Sequence, residues 1–452
     1  MARTLSSVLP PVTAVVAAVG VARWALTEGS LIDTAAFREA ARAVVHGQSP
    51  YVISSVVPFV YPPAGVLATL PTLVGPNVRV AATVWLGLSL VALARTVWLL
   101  VGLAWPALEP GRRRRRACWV LAAACLLEPT LITLSFGQVG LVLLWLTVEG
   151  LRGQPGRTVH PWLVGVAAAI KLTPAVVLVG LAAAGRWRSA SWGAVGFVGA
   201  CVAAAALAPA AVRDYVGGAW RLASDVNATP DALNHSLIGV VRLVGLPPWA
   251  GLVAAAAALV LGVALTARIW RDGDELAGLA TVLVTGLLAS PVSWGHHWVA
   301  VYPALVLLLR EARAQRVAAV VLLSTAVVGM LLRFDDAGLD GSRVLPHGLT
   351  WALLQREWSV AWAVAFLCWA AATRTGRTAV VTRGGPATTD DRDERLAPRR
   401  RPAKERARNN SGVIERTGPV LRACLWRRKR PGRGVASSAI FPLELGGPMG
   451  RT

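Results

Sequence analysis

The sequence predicts an all-α integral membrane protein that crosses the bilayer many times. Hydrophobic residues make up 55% of the 452-residue chain, charged residues only 15%, and the mean hydropathy is +0.55. The hydrophobic residues gather in runs, many of them close to the roughly 20 residues that a membrane helix needs. Backbone groups in lipid must be hydrogen-bonded within their own segment, so we expect these runs to be helical.

Residues 374–452 hold 19 Lys/Arg and 7 Asp/Glu and so contribute +12 of the net charge of +22, and most of the remainder lies in short arginine clusters between the apolar runs. The clusters lie at residues 111–116, 152–157, 186–188, 268–275 and 310–316. The positive-inside rule places such loops in the cytoplasm and the segments between them outside or at membrane depth. Topology therefore accounts for this charge, and we do not expect nucleic acid as a partner.

The apolar runs divide into about twelve predicted membrane helices. They occupy residues 8–26, 80–104, 117–135, 139–151, 161–185, 192–212, 249–270, 276–289, 298–309, 317–332 and 351–373, with a short half-inserted helix at 61–74. Basic loops bracket residues 161–185 on both sides, so this run is expected to form two short helices bent at 171–174, where proline breaks the helix. Residues 1–375 thus form the membrane domain. Residues 376–452, rich in Arg, Pro and Gly, are expected to be a disordered cytoplasmic tail.

Two longer polar segments, residues 27–63 and 213–248, are predicted on the extracytoplasmic side. The first holds Asp33 directly after the first span, followed by a helical pattern over residues 34–45. One face of this helix is apolar (Phe37, Ala41, Val44, Val45) and the other polar (Arg38, Glu39, Arg42, His46). This pattern predicts an amphipathic helix lying at the membrane surface. Asp33 is suited to cap that helix or to act as a reactive acid.

Lys171 is the most informative single residue, because the other two lysines lie in the tail. A lysine at membrane depth costs a few kcal/mol and usually faces a cavity or a partner. It is expected to bind an anionic head group such as a lipid phosphate. The alternative is a side chain that reaches to the interface without a chemical role.

Further polar and aromatic residues stand at the mouths of the predicted spans. His296 and His297 close the sequence SPVSWGHHW and could hydrogen-bond a phosphate or orient a carboxylate. A metal site there is disfavoured, because adjacent helical residues point about 100° apart and no nearby carboxylate or cysteine completes a ligand set. The other candidates in such positions are Tyr51, Tyr61, Gln138, Asn234 and Trp294.

Taken in order, these motifs resemble glycosyltransferase family 87 over about residues 8–373. The resemblance rests on Asp33 before a helix, GQSPY at 47–51, YPP at 61–63, GQV at 137–139, KLTP at 171–174, NHSL at 234–237 and SPVSWGHHW at 290–298. The sequence has His235 where the family pattern leads us to expect glutamine. The tail after Gly376 has no counterpart in the family.

The resemblance implies a multi-span C-superfamily fold and a polyprenol-phosphate-mannose-dependent α-(1→2)-mannosyltransferase of lipoglycan assembly. Its active site would face outward from the plasma membrane, with a polyprenyl-phosphate sugar as donor and a mannosylated lipid or lipoglycan as acceptor. By this resemblance Asp33 is the general base, while Lys171 and His296 or His297 stabilise the leaving phosphate. The substrate pocket would include Tyr51, Tyr61, Gln138, Asn234 and Trp294. No metal or other cofactor is implied.

Two alternatives stay open at this point. A polyprenyl-phosphate-arabinose donor fits the same scaffold, because composition does not separate a pentose from a hexose. A lipid or sugar transporter is disfavoured, because transporters usually carry internal inverted repeats with paired broken helices and the sequence shows no such symmetry.

Overall fold

The computed structural model describes residues 2–53, 55, 57–152, 160–222, 234–314, 316–332 and 349–374, with only the backbone at 2–6 and 349–356. The chain divides into two compact units, Met1–Pro386 and Ala387–Thr452. The second unit, like the whole predicted tail at 376–452, lies outside the described residues. The predicted boundary after residue 375 stays a prediction.

Within the described ranges the chain forms seventeen α-helices and no β-strand. They are α1 (Ala2–Thr27), α2 (Ile32–Val45), α3 (Pro63–Thr69), α4 (Val78–Ala104), α5 (Pro110–Leu126), α6 (Glu128–Phe136), α7 (Gly140–Leu151), α8 (Trp162–Ile170), α9 (Ala175–Ala183), α10 (Trp187–Leu207), α11 (Pro209–Val216), α12 (Leu237–Leu243), α13 (Pro248–Arg271), α14 (Glu275–Ala289), α15 (Tyr302–Ala312), α16 (Val317–Leu332) and α17 (Leu349–Arg374). Short 3-10 helices cover Pro50–Val52, Leu70–Leu73, Ala219–Arg221 and Gly295–Val301. The predicted all-α class is confirmed.

Four helices are long and apolar enough to cross a membrane, judged by length and composition: α1, α4, α10 and α13. The pair α5 and α6 would add a fifth span if it is one broken helix. Shorter apolar helical segments cover Pro63–Leu73, Gly140–Leu151, Glu275–Ala289 and Val317–Leu331. The chain is therefore a helical membrane protein with several spans. The total of about twelve is not tested by these lengths and stays a prediction.

One predicted helix break is confirmed, between α8 and α9. Ile170 ends α8, and Lys171 has an extended backbone with φ −148° and ψ 127°. Pro174 is the N-cap of α9, and its ring disfavours a helical backbone at the preceding residue. The run at 161–185 is thus two short helices, with Lys171 in the gap between them.

Two runs that were expected to be continuous spans are broken instead. The run at 117–135 is interrupted at Leu127, and α5 and α6 meet at an angle of 66°. The run at 192–212 is interrupted at Ala208, where α10 ends and α11 begins with Pro209. Ala208 stands directly before Pro209, and Leu127 stands two residues before Pro129. Proline lacks an N–H and its ring clashes with the preceding turn, so a helix does not continue through it.

The helix predicted after Asp33 is α2, but it differs from the prediction in its N-cap residue and in the exposure of Val45. Leu31, not Asp33, is the N-cap, and Asp33 is the second residue of the helix, so the capping role is wrong. Val45, assigned to the apolar face, is 64% exposed. Phe37 and Ala41 are buried as predicted, and Phe37 packs edge-on against Trp85 of α4 with ring centres 5.9 Å apart.

Arg38 was assigned to the exposed face of α2 but is only 6% exposed. Its guanidinium donates to the carbonyls of Thr72 and, at 2.6 Å, of Gly75. Thr72 lies in the 3-10 helix Leu70–Leu73, whose last carbonyls lack partners within the helix, and Gly75 follows two residues after its end. The charge of Arg38 is thereby satisfied inside the protein, and α2 is fixed to the segment that leads into α4.

An ion-pair cluster joins the start of α14, the end of α15 and the end of α17. Arg374 contacts Asp274 and Glu311, each at 2.8 Å. Arg310 contacts the same two acids at 2.7 and 3.0 Å. From this cluster α14 runs for 15 residues, about 22 Å, to the segment that carries the two histidines. The cluster and the candidate site therefore lie at opposite ends of α14.

Candidate active site

The backbone around Asp33 is held against the end of α6. The Leu31 amide donates to the Ser135 carbonyl at 2.8 Å. Leu31 has a φ of 49°, the one positive value at a non-glycine residue in the described chain, and such a conformation costs about 1–2 kcal/mol. Gly137 ends α6 with a φ of 75°, and a Cβ there would lie 1.8 Å from the Thr34 hydroxyl oxygen. This close approach brings the start of α2 to Gln138.

A polar chain runs from Asp33 past Gln138 to Tyr61 and Tyr51. Gln138 lies beside Asp33 and favours the ionised form of its carboxyl group. The Tyr61 hydroxyl donates to Gln138 Oε1 at 2.7 Å. The Tyr51 hydroxyl in turn donates to the Tyr61 carbonyl at 2.9 Å. Three of the predicted site residues are thus joined by hydrogen bonds, and Asp33 lies next to them.

The environment of Asp33 shifts its proton affinity into a useful range. Burial raises the pKa of Asp33 from its usual 3.8 to about 6, while the Gln138 side chain and the positive charge of Lys171 act in the opposite direction. Burial penalises the carboxylate, and a donor or a cation nearby favours it. A carboxyl group with a pKa about one unit below neutrality is ionised at pH 7 and is still basic enough to accept a proton.

Lys171 connects the Asp33 side of the site to the histidines. Its Nζ lies 2.7 Å from His297 Nε2 and 5.2 Å from the centre of the Tyr61 ring. Its charge acts on Asp33 across the same space. An acid and an ammonium from distant parts of the chain therefore share one site, and the break between α8 and α9 places the lysine there.

The two histidines are held by aromatic contacts in the 3-10 helix Gly295–Val301. The Trp294 ring stacks on His297 at 14°, and the Trp294 amide donates to His297 Nδ1 at 3.2 Å. The His296 ring stands edge-on to His297 with ring centres 4.4 Å apart. His296 is 2% exposed, and its Nε2 has no hydrogen-bond partner in the part of the chain described. A buried polar atom of this kind is costly unless a ligand supplies the partner.

Asn234 lies beside this segment, but its amide is used within the protein. Its Nδ2 donates to the Pro291 carbonyl and its Oδ1 accepts from the Ser293 amide, both at 2.9 Å. The His235 amide donates to the Ser293 carbonyl at 2.8 Å. These contacts indicate that Asn234 shapes the segment ahead of the histidines. Its assignment to the substrate pocket stays a prediction.

Two residues near the site, Trp85 and Thr34, were not identified from the sequence. The Trp85 indole donates to the Gly137 carbonyl at 2.7 Å and so fixes the residue before Gln138. Thr34 follows Asp33 and packs against Gly137. Glu128 Oε1 approaches within 3.5 Å of the position that a Cβ on Gly295 would take. The sequence signal for Glu128 was an acid in an apolar run, but nothing local showed where it would point.

Among the described residues, no three side chains of His, Cys, Asp and Glu converge in a way that could hold a metal ion. The groups that do converge are a carboxylate with a raised pKa, an ammonium and two imidazoles. Such a set can accept a proton at one end and stabilise an anion at the other.

A sequence model described as glycosyltransferase family 87 matches residues 59–293, just over half of the chain. The chain belongs to glycosyltransferase family 87. The membership predicted from the ordered motifs is thereby confirmed. The matched range contains Tyr61, Gln138 and Lys171, while Asp33 precedes it and the two histidines follow it.

Curated relatives of this glycosyltransferase carry mannosyltransferase names. A polyprenol-phosphate-mannose-dependent alpha-(1-2)-phosphatidylinositol mannoside mannosyltransferase of Mycobacterium tuberculosis is 31% identical over 76% of this chain and 86% of its own length. A polyprenol-phosphate-mannose-dependent alpha-(1-2)-phosphatidylinositol pentamannoside mannosyltransferase of the same species is 30% identical over 68% of this chain and 70% of its own length. A Mycolicibacterium smegmatis protein with the phosphatidylinositol mannoside name is 29% identical over 61% of this chain and 69% of its own length. No solved structure is significantly similar to the chain.

Proposed function

We propose that this glycosyltransferase moves mannose from polyprenyl-phosphate-mannose to a mannosylated lipid or lipoglycan, forming an α-(1→2) linkage with inversion. The names of the relatives support the mannose donor and a phosphatidylinositol mannoside type of acceptor. The observation that carries the proposal is the convergence of Asp33 and Lys171 on one site. A base for the acceptor and a cation for the leaving phosphate are the two groups that this transfer needs.

In the proposed reaction, Asp33 accepts the proton of the acceptor hydroxyl as its oxygen attacks the anomeric carbon. The bond between that carbon and the phosphate oxygen breaks, and its electron pair leaves with the polyprenyl phosphate. Lys171 and the histidines stabilise the negative charge that develops on the phosphate. Attack from the face opposite the leaving group turns a β-linked donor into an α-linked product.

The sugar would occupy the space between these two ends of the site. Trp294 and Tyr51 present aromatic surface at its edges, and Trp294 is already fixed by its stacking on His297. The unpartnered His296 Nε2 gains its hydrogen bond when a phosphate oxygen or sugar hydroxyl is bound. The roles of these three residues belong to the proposal.

The proposed topology places this site at the outer face of the plasma membrane. The short basic loops support this topology, because the positive-inside rule places them on the cytoplasmic side. In this arrangement α2 lies along the membrane surface after the first span, and the shorter apolar helices bring the total to about twelve membrane helices. Apolar grooves between short helices would hold the prenyl chain of the donor.

The test uses membranes from a host that lacks this activity, supplied with phosphatidylinositol mannosides and one labelled donor at a time. Label from polyprenyl-phosphate-mannose is expected in an acceptor lipid, with almost none when Asp33→Asn replaces the wild type. Gln48→Asn, an exposed substitution outside the site, serves as the matched control.

Other outcomes of this experiment separate the alternatives. Label transferred only from polyprenyl-phosphate-arabinose would replace the mannose donor by a pentose donor. Movement of intact labelled donor across the membrane without any new glycosidic bond would indicate a transporter. Full activity in Asp33→Asn would remove Asp33 from the mechanism.

A further inference from the structure

Gln138 lies between Asp33 and Tyr61. The Tyr61 hydroxyl donates to Gln138 Oε1 at 2.7 Å, so the amide oxygen faces the tyrosine. The amide nitrogen, which only donates, is then left on the side of Asp33, whose ionised carboxyl group the Gln138 side chain favours. A carboxylate only accepts, so this orientation satisfies both partners. The orientation of the Gln138 amide is therefore fixed by Tyr61.

Tyr61 is itself held from several sides. Its carbonyl accepts from the Tyr51 hydroxyl at 2.9 Å. Its ring packs edge-on against Phe37, with centres 5.4 Å apart, and lies 5.5 Å from Phe59. A phenol fixed in this way presents its hydroxyl hydrogen to one place. It can therefore prevent rotation of the Gln138 amide.

The backbone of Gln138 is equally constrained, and its side chain has little free surface. The Gln138 amide donates to the Thr133 carbonyl at 2.8 Å, and the preceding Gly137 carbonyl accepts from Trp85 at 2.7 Å. Gln138 is only 5% exposed. With its oxygen used inside the protein and its nitrogen on the side of Asp33, Gln138 has few polar atoms left for a sugar.

We propose that Gln138 and Tyr61 are positioning residues: Tyr61 orients the Gln138 amide, and Gln138 holds the Asp33 carboxylate in the orientation that receives the acceptor proton. This inference rests on the proposed role of Asp33 as general base. A donor on one carboxylate oxygen leaves the other oxygen for the acceptor hydroxyl. The same donor also favours the ionised carboxylate.

The charged and titratable side chains around Asp33 affect its ionisation, and therefore the pH profile of the reaction. Two titratable groups interact electrostatically with Asp33. They are Lys171, in the break between α8 and α9, and Tyr61, ahead of α3. Arg38 on α2 is turned to the carbonyls at 72–75, and Tyr51 to the Tyr61 carbonyl. Arginine and tyrosine keep their protons between pH 5 and 8. Lys171 is unchanged in the variants below, so its effect is common to all of them.

The experiment compares pH profiles of kcat for mannosyl transfer by the full chain in detergent or membranes. Gln138→Met removes both polar ends of the side chain at similar volume, and Tyr61→Phe removes one hydroxyl. Loss of a hydrogen bond to a charged group is expected to move the acid limb of the profile upward by about one pH unit in Gln138→Met. Tyr61→Phe moves it in the same direction by less, because the amide can still donate in one of its orientations. The KM values for donor and acceptor change little.

Two other results would overturn the proposal, and each indicates a different role for Gln138. An unmoved acid limb with a raised acceptor KM would make Gln138 a substrate contact. An unmoved limb with a uniformly lower kcat would make the pair a packing element. Both results leave the proposed function intact as long as Asp33→Asn is inactive. Activity in Asp33→Asn would instead overturn the role of the base. Gln48→Met, at an exposed glutamine, is expected to keep the wild-type limb.

Discussion

Replacing Lys171 by methionine tests the anion-stabilising end of the site. Methionine keeps most of the side-chain volume but removes the ammonium that lies 2.7 Å from His297 Nε2 and acts on Asp33. A hydrogen bond from a charged donor contributes about 1.5–3 kcal/mol. At 1.36 kcal/mol for each factor of ten, we expect kcat/KM for the lipid-phosphate donor to fall roughly 10- to 150-fold.

The same substitution has a second, independent consequence. The positive charge of Lys171 favours the Asp33 carboxylate, so its loss raises the pKa of Asp33 further. The acid limb of the rate profile is therefore expected to move upward together with the loss of donor use. Lys171→Arg, which keeps the charge but not the point-like ammonium, is expected to retain the position of the limb and to recover part of the rate.

The assay measures initial rates against donor concentration from pH 5 to 9, with elution from a sizing column as the check on folding. A well-folded Lys171→Met enzyme with donor kcat/KM within twofold of wild type would refute the reasoning. So would Lys171→Arg behaving the same as Lys171→Met at every pH, because charge would then be irrelevant at this position.

Three further predictions concern the wild type and the support of α2. The wild-type rate is expected to fall as the pH drops through about 6, because Asp33 must be ionised to accept a proton; a rate that stays flat down to pH 5 would contradict this. Arg38→Met leaves the carbonyls of Thr72 and Gly75 without their donor and is expected to lower stability by about 3 kcal/mol, seen as a lower midpoint in thermal unfolding, with Arg38→Lys in between. Gly137→Ala strains a φ of 75° and drives a Cβ into the Thr34 hydroxyl, so it is expected to lower kcat more than Gly47→Ala, which also has a positive φ but nothing within 4 Å.

The membrane class and most helices were predictable because apolar runs and prolines act locally. Lys171 stood out by composition, and the break that exposes it followed from Pro174 and the basic loops on either side. The breaks at Leu127 and Ala208 had the same local cause but were overlooked, because the surrounding runs are long enough to read as single spans.

The details of the site depended on contacts between segments that are far apart in the chain. Arg38 lies on a helical face that reads as polar, and only the carbonyls at residues 72–75 show why it is buried. Gln138 was identified as a polar residue at a span mouth, but the role proposed for it depends on its contact with Tyr61, 77 residues away. A pattern within one segment contains no information about such partners.

The ion-pair cluster at the end of α17 has a practical consequence for shortening the chain. Arg374 is the last described residue and supplies one of the two cations shared by Asp274 and Glu311. A stop placed just after it would retain a complete set of opposite charges. A stop one residue earlier would leave Asp274 and Glu311 with Arg310 as their shared cation, while Arg316 contacts Glu311 alone, and α17 would lose its ion pairs to this cluster.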